Sequence, residues 1–294
     1  MTQASGCQSR ICGMSITFSP LTSASHSAFS SHFTAHRLNV NAMHGLAAPI
    51  MGFDHFRTSG PTFPPHPHAG FSAVSYLFED SAGELRNRDS LGHDIVIEPG
   101  AMVWSQAAFG MVHDEQPAVP GVEVHGLQLF VNLSQANKAL APDVFHAPAD
   151  QVPCIITDAA RIKVLAGALD GVTGPIQPAE SFNFFDMRLS SRFSLDLPER
   201  HNVMFYVLSG TVDVEGAGER HRLDAHQAIA LSHDAVNESV SITTHQGAHL
   251  LFLSGVDANE PVATHGPFIM NDQAGLQAAY SRYVAGEMGR LSPL

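Results

Sequence analysis

Cysteine is scarce in this 294-residue chain: Cys7, Cys12 and Cys154 are all it has. A sparse, odd count excludes a disulfide framework and fits a reducing compartment. Cys7 and Cys12 alone offer too few ligands for a zinc site and read as tail residues. Basic side chains are scarce as well: 15 Lys and Arg against 28 Asp and Glu leave a net charge of −13. With no Lys/Arg run to offset it, such a surface repels phosphate backbones, so no direct nucleic-acid binding is expected. No segment approaches the ~18 consecutive apolar residues of a membrane span. Arg10 is not followed by an apolar stretch of leader length, so no secretory signal is expected either. Helical periodicity is missing until near the C-terminus. The expectation is a cytoplasmic globular protein, since 44% hydrophobic and 15% charged residues are a folding composition.

What fills the chain is short strand patterns. Residues 1–35 are rich in Ser, Thr and Ala and are expected to be poorly ordered, apart from a strand near Ile16–Phe18. From about residue 70, FSAVSYLF (71–78), HDIVIEPGAMVWSQ (93–106), GMVHDEQP (110–117) and HGLQLFVNL (125–133) alternate or carry β-branched and aromatic residues. Turn signals separate them at spacings that mark a sandwich or barrel, not a βαβ fold. The second half repeats the pattern. HNVMFYVLSGTVDVEG (201–216) matches FSAVSYLFEDSAGE, with Tyr206 on Tyr76, and HRLDAHQAIALS (221–232) follows like HDIVIEPGAMVWSQ. The reading is two copies of one small β-barrel, joined by the proline-rich stretch APDVFHAPADQVP (141–153). NDQAGLQAAYSRYVAGEMGR (271–290) is the one helical segment, with Asn271 as the candidate cap and Leu276, Ala279, Tyr280 and Tyr283 at helical spacing.

The stretch FPPHPHAGF (63–71) carries the chemistry. On an extended segment residues i and i+2 share a face, so His66 and His68 aim at one point. Pro65 and Pro67 keep the segment extended. A proline-rich loop bearing two solvated histidines would look the same, so a second pair is needed. The HDE at 113–115 supplies it: His113 and Glu115 again share a face. Two neighbouring strands could then converge His66, His68, His113 and Glu115 on one ion. Three imidazoles and a carboxylate suit Fe, Mn, Ni or Cu better than Mg or Ca, and four ligands leave two positions of an octahedral ion open for O2 or a bidentate substrate. Aligning Tyr206 on Tyr76 puts Asp196 and Pro198 at the places of His66 and His68, and SVSIT (239–243) at the place of HDE. The second copy thus lacks the set. His201, His221, His226, His233, His245 and His249 form no i/i+2 pair and read as surface or structural residues.

The motifs GPTFPPHPHAGF, RDSLGHDIVIEPGAMVW, GMVHDEQP, HGLQLFVNL and EPVATHGPFIMN resemble those of the pirin family of the cupin superfamily, from about residue 36 to the C-terminus. The resemblance implies an all-β bicupin of two tandem cupin-type barrels with a short C-terminal helix. Its parts would be a poorly ordered segment at 1–35, a metal-binding barrel at 36–145, and a barrel without metal ligands at 146–294 that ends in the helix. It also implies one mononuclear first-row transition metal, usually iron, on His66, His68, His113 and Glu115, with Ni, Mn, Cu, Co or Zn as other ions such a donor set accepts. Pirins usually read HPHRGFE where this chain has HPHAGFS, so Ala69 and Ser72 depart from the family pattern beside intact ligands.

Two functional expectations follow from the resemblance. One is a quercetin 2,3-dioxygenase-like enzyme, which opens a flavonol ring with O2 and releases carbon monoxide. Glu115 would be the base that takes the 3-hydroxyl proton, and Phe63, Phe71, Phe109 and Met111 are candidate walls for a flat aromatic substrate. The other is an iron-dependent, redox-sensing regulatory protein that binds a transcription factor or a metabolic enzyme, to which an acidic surface would suit a basic partner. A storage or structural cupin with an incidental metal is the blander third. A cavity of roughly 300 Å³ or more above the metal separates an enzyme from a sensor. A monomer is expected, because the chain already pairs two barrels.

Overall fold

The Phe71–Leu77 strand organises the first half of the molecule: all seven of its residues are buried. A strand buried on both faces reads as a continuous apolar run rather than an alternating one. Here one face fills a barrel, while Val74 and Tyr76 pack on the other half of the chain. The computed structural model describes residues 16–234 and 237–293; Cys7 and Cys12 lie outside them. The first barrel has a seven-stranded sheet, in the order Asp143–Ala147, Met102–Gln106, Phe71–Leu77, Val124–Asn132, Ile50–Thr58, Phe33–Arg37, Ser25–Ser30. It faces a four-stranded sheet of His66–His68, Met111–Pro117, Leu85–Asp89 and Asp94–Ile97. Part of the proline-rich connection is therefore a strand on the edge of the first sheet.

The second barrel is built around His201–Gly216, whose first part pairs with Gln227–His233 and Ala248–Val256. Its last part pairs with Glu219–Asp224 and Ser239–Thr243. Tyr206 stands between Ala228 and Leu251 as Tyr76 stands between Met102 and Leu127. Both tyrosines are fully buried in the core shared by the two barrels. Each also reaches across: Tyr76 Oη donates to Asp186 Oδ2 at 2.6 Å, and Tyr206 Oη bonds His55 Nδ1 at 3.1 Å. The architecture is all-β with two tandem barrels, as the sequence pattern predicts.

The ends of the chain depart from expectation. Residues 16–37 are not loose. Ile16–Phe18 pairs with Gln227–His233 of the second barrel, and Ser25–Ser30 with Phe33–Arg37 forms the outer hairpin of the first. Ile16 is fully buried, and Phe33 packs edge-on against Phe56. A strand that borders a sheet needs few large apolar residues, so its Ser/Thr-rich composition resembles a loop. The helix runs Gln273–Ala285, and its cap is Asp272, which accepts from the Gly275 N–H at 2.7 Å. Asn271 instead donates to Glu260 and the Pro261 carbonyl. Leu276 and Ala279 are buried, whereas Tyr280 and Tyr283 are exposed. The C-terminal segment does not stay with the second barrel. Phe268 bridges Ala69, and Arg282 donates to the Phe109 carbonyl on the first barrel while its guanidinium lies 4.0 Å from the Phe109 ring centroid.

Candidate metal centre

The antiparallel pairing of His66–His68 with Met111–Pro117 sets His113 opposite His66 and Met111 opposite His68. His66, His68 and His113 therefore project from two adjacent strands to one side. Their ring centroids form a triangle with all three sides 4.7 Å. One nitrogen from each lies within 4.8 Å of the other two, and among the described residues this is the set of three or more potential ligands that meets this condition. His66 Nδ1 donates to the Pro64 carbonyl at 3.0 Å, which leaves its Nε2 lone pair available. Burial lowers all three imidazoles: His68 to about 3, His113 well below its ordinary value, and His66 to a lesser degree because the Pro64 bond and Asp114 oppose it. Neutral imidazoles keep their lone pairs for an ion. His113 Nδ1 is buried without a hydrogen-bond partner, a costly state for a polar atom in an apolar surround. The donor set fits a first-row transition ion.

Glu115 lines the same cavity but stands outside the triangle. Its carboxylate accepts a short hydrogen bond from Ser75 Oγ, which also contacts Gln128 at 3.0 Å. Burial lifts the Glu115 carboxyl to about 7; Asp114 adds to the rise and the Ser75 bond opposes it. Its cross-strand neighbour Asn87 is fully buried, with neither amide atom partnered. Asp114 points away and pairs with Arg88.

Above the histidines opens a cavity of about 490 Å³. Of the four expected walls, Phe63 lines it; Phe71 lies behind His68 with ring centroids 4.9 Å apart, Met111 is buried, and Phe109 sits under Arg282. The other aromatic walls are Phe33, Phe56 and Phe130, with Pro267 from the C-terminal segment. Arg37, Asp54, Gln128 and Ser75 form one cross-strand row on the cavity side of the large sheet, in successive register pairs. Arg37 and Asp54 are joined by two bonds of 2.7 and 2.8 Å. Sequence reasoning missed Phe33 because its segment was read as loose, and Pro267 because its segment was assigned to the other barrel. The period-2 alternation of SAVSYL and LQLF could have found Ser75 and Gln128.

In the second barrel, the strand Phe193–Asp196 pairs with Ser239–Thr243 just as His66–His68 pairs with Met111–Pro117. There Leu195, Val240 and Ile242 are buried in an apolar cluster that fills that barrel. The departures from the HPHRGFE pattern are buried too. Ala69 is fully covered by Phe268 and Met270, and Ser72 is fully buried with an unpartnered hydroxyl.

Comparison with known proteins agrees with this fold. A family model described as pirin matches residues 15–131, and one described as the pirin C-terminal cupin domain matches residues 184–289. A Pseudomonas aeruginosa protein provisionally named quercetin 2,3-dioxygenase is 31% identical over 252 residues, covering 81% of this chain and 86% of that protein. Mouse pirin is 30% identical over 227 residues, covering 76% of this chain and 77% of its own length. Among solved structures, a quercetin 2,3-dioxygenase from Acinetobacter baumannii superimposes with a TM-score of 0.81 at 24% identity, over 93% of this chain and 98% of that one.

Proposed function

The chain belongs to the pirin family, and on that premise we propose that it is a metal-dependent dioxygenase acting on a flavonol-like aromatic substrate with O2. The observation that carries this reading is the 490 Å³ apolar-walled cavity opening onto three converged imidazoles and one buried carboxyl. A redox sensor needs a metal beneath a flat face; a volume within the usual 300–1,000 Å³ range of small-molecule sites favours turnover.

His66, His68 and His113 would hold the ion, with Glu115 as the fourth ligand or as the neighbouring base. The bound ion would supply Lewis acidity toward the substrate hydroxyl and a partner for O2. The chain's own residues do the rest. Phe33, Phe56, Phe63 and Phe130 clasp the flat rings and exclude water. Glu115 takes the hydroxyl proton onto a carboxylate oxygen, since its carboxyl, at about 7, changes protonation near neutral pH. Ser75 steadies that carboxylate from behind. The Arg37–Asp54 pair at the cavity wall offers donors and acceptors to ring hydroxyls.

The test is aerobic incubation of the metal-loaded protein with quercetin, following flavonol absorbance and carbon monoxide. Oxygen-dependent loss of flavonol with matching carbon monoxide release, absent in His113→Ala, supports the reading. Full metal occupancy without turnover of any flavonol overturns it.

A further inference from the structure

The segment that follows the second barrel returns to the first and lies along its ligand strands. Ala263–His265 and Phe268–Met270 form a hairpin, and the helix Gln273–Ala285 packs on it through Leu276 and Ala279. Phe268 pairs with Ala69 in a parallel bridge, and the Ile269 N–H donates to the Ala69 carbonyl at 3.0 Å. Gly70 permits this approach. A Cβ there would stand 1.8 Å from the Ile269 carbonyl oxygen, and its φ of 86° already favours glycine. Phe268, Met270 and Met288 bury Ala69 and Val112, the chain neighbours of His68 and His113. Further along, Ser90 Oγ donates to the Met288 carbonyl at 2.7 Å, and Arg282 donates to the Phe109 carbonyl at 3.0 and 3.3 Å. The segment is thus fastened to the first barrel at three places.

The register has a consequence for His68. With Phe268 on Ala69, Pro267 falls beside His68 at the chamber wall. His68 Nδ1 is enclosed and meets no hydrogen-bond geometry, which leaves Nε2 to face an ion. An imidazole that ligates through Nε2 keeps its proton on Nδ1, and that N–H needs an acceptor. For His66 the Pro64 carbonyl already serves, at 3.0 Å. For His68 the Pro267 carbonyl stands next to the ring, where it favours the protonated form against burial. A small advance of the segment would close the bond.

On the premise that His66, His68 and His113 hold an ion, we propose that the C-terminal segment is a strap for the metal centre: the Pro267 carbonyl holds His68 in its ligating orientation, so that binding of the ion and attachment of the strap strengthen each other. Pro267 is then a positioning residue supplied from the far end of the chain. Losing an orienting acceptor of this kind costs about 10–100-fold in metal affinity. Linkage makes the effect mutual: whatever factor the strap adds to the affinity of the ion, the ion adds to the attachment of the strap.

The experiment is hydrogen exchange followed by NMR on the full chain, metal-stripped and then loaded with one equivalent of zinc, a redox-inert probe. The reporter is the Ile269 N–H. The reference is the Ser19 N–H, which donates to the Ala230 carbonyl at 2.8 Å on the outer strand of the second barrel. Zinc should slow Ile269 at least about tenfold and leave Ser19 unmoved in wild type, and should move neither in His113→Ala. Conversely, zinc affinity measured by chelator competition should fall at least about fivefold in Phe268→Ala, which loosens the strap and leaves every histidine in place. Arg282→Gln, on the exposed side of the helix, gives the same test if Phe268→Ala does not fold. Zinc bound with Ile269 unmoved, or with Ile269 and Ser19 slowed alike, overturns the strap. So does an affinity unchanged by loosening it. Failure of wild type to bind zinc at all sinks the three-histidine centre itself, and the strap with it.

Discussion

Asp54 and His55 are consecutive residues of one strand, yet they serve two different cavities. Asp54 lines the chamber above the three converged histidines, paired with Arg37. His55 lines the cleft between the barrels, bonded to His125 and Tyr206. Strand alternation makes this possible: one sheet carries a candidate reaction chamber on one face and a histidine network on the other. The second barrel is thus more than a duplicated scaffold, because it closes the cleft and sends Pro267 back to the chamber mouth.

Replacing His113 by Ala removes one corner of the imidazole triangle. Metal content should fall from one ion per chain at this site to background. A ligand that binds only the folded state at 100 times its Kd stabilises it by about 2.7 kcal/mol. Added ferrous ion should therefore raise the melting temperature of metal-stripped wild type and leave His113→Ala unmoved. Elemental analysis and differential scanning calorimetry check this, and an equal thermal shift in both proteins would refute the assignment.

Ala69→Arg restores the residue that the family pattern favours, but in this fold the result should be harmful. Ala69 is wholly buried under Phe268 and Met270, one residue from His68. A guanidinium there must displace the C-terminal segment or be buried unpaired. Overpacking alone costs about 1–3 kcal/mol, and an unpaired charge adds to it. Urea denaturation should show a loss of at least about 2 kcal/mol, with metal affinity reduced as His68 shifts. An unchanged midpoint would show that the segment swings aside at no cost.

Much of this was legible in the sequence, and the reasons differ by element. The two barrels were legible because their strands alternate and are punctuated by Gly and Pro, and Tyr76 with Tyr206 fixed the alignment of the halves. The three-histidine cluster was legible because His66 and His68 share a face by the i/i+2 rule, which survives any detail of packing; Glu115, placed with His113 by the same rule, stands outside the cluster. The histidine ladder between the barrels was not legible, because His26, His36 and His55 meet only through inter-strand register, which no local spacing encodes. Phe33 and Pro267 were missed for a similar reason: each end of the chain packs on a barrel far from it in sequence. Phe109 was misjudged as a chamber wall because a bulky ring beside a strand looks alike whether it faces a cavity or, as here, a guanidinium.

The inter-barrel histidines should give the metal-free protein a stability that falls with acid. His55 is held to about 2 by burial first and by His125, His226 and His36 beside it. Its unfolded value is near 6.5, so above that pH both states are neutral and its contribution is fully present. As pH falls from about 6.5 toward 2, the unfolded chain takes a proton that the folded chain refuses, and stability drops by about 1.4 kcal/mol per pH unit for this group. Urea midpoints measured from about pH 7.5 down to about pH 5 should flatten by roughly one proton's worth in His55→Asn. The variant will be less stable throughout, since it breaks the bonds to Tyr206 and His125, so the slope and not the height is diagnostic.

The chamber wall offers the sharpest separation of binding from metal chemistry. Phe33 lines the cavity, edge-on to Phe56 at 6.5 Å and to Phe63 at 6.1 Å. Phe33→Ala should leave metal content unchanged. If the substrate is a flat aromatic, losing this wall should raise its KM roughly tenfold, equivalent to about 1.4 kcal/mol of apolar contact, with a smaller change in kcat, because ring packing is shared by ground and transition states. A small hydrophilic substrate would be indifferent to the change, and a regulatory protein would show no KM to shift. Steady-state kinetics beside elemental analysis of the same preparation would tell these apart: a KM effect at constant metal supports an aromatic substrate seated against Phe33, whereas loss of metal in Phe33→Ala would mean that the wall props up the ligand strands and that the chamber's aromatic lining is structural.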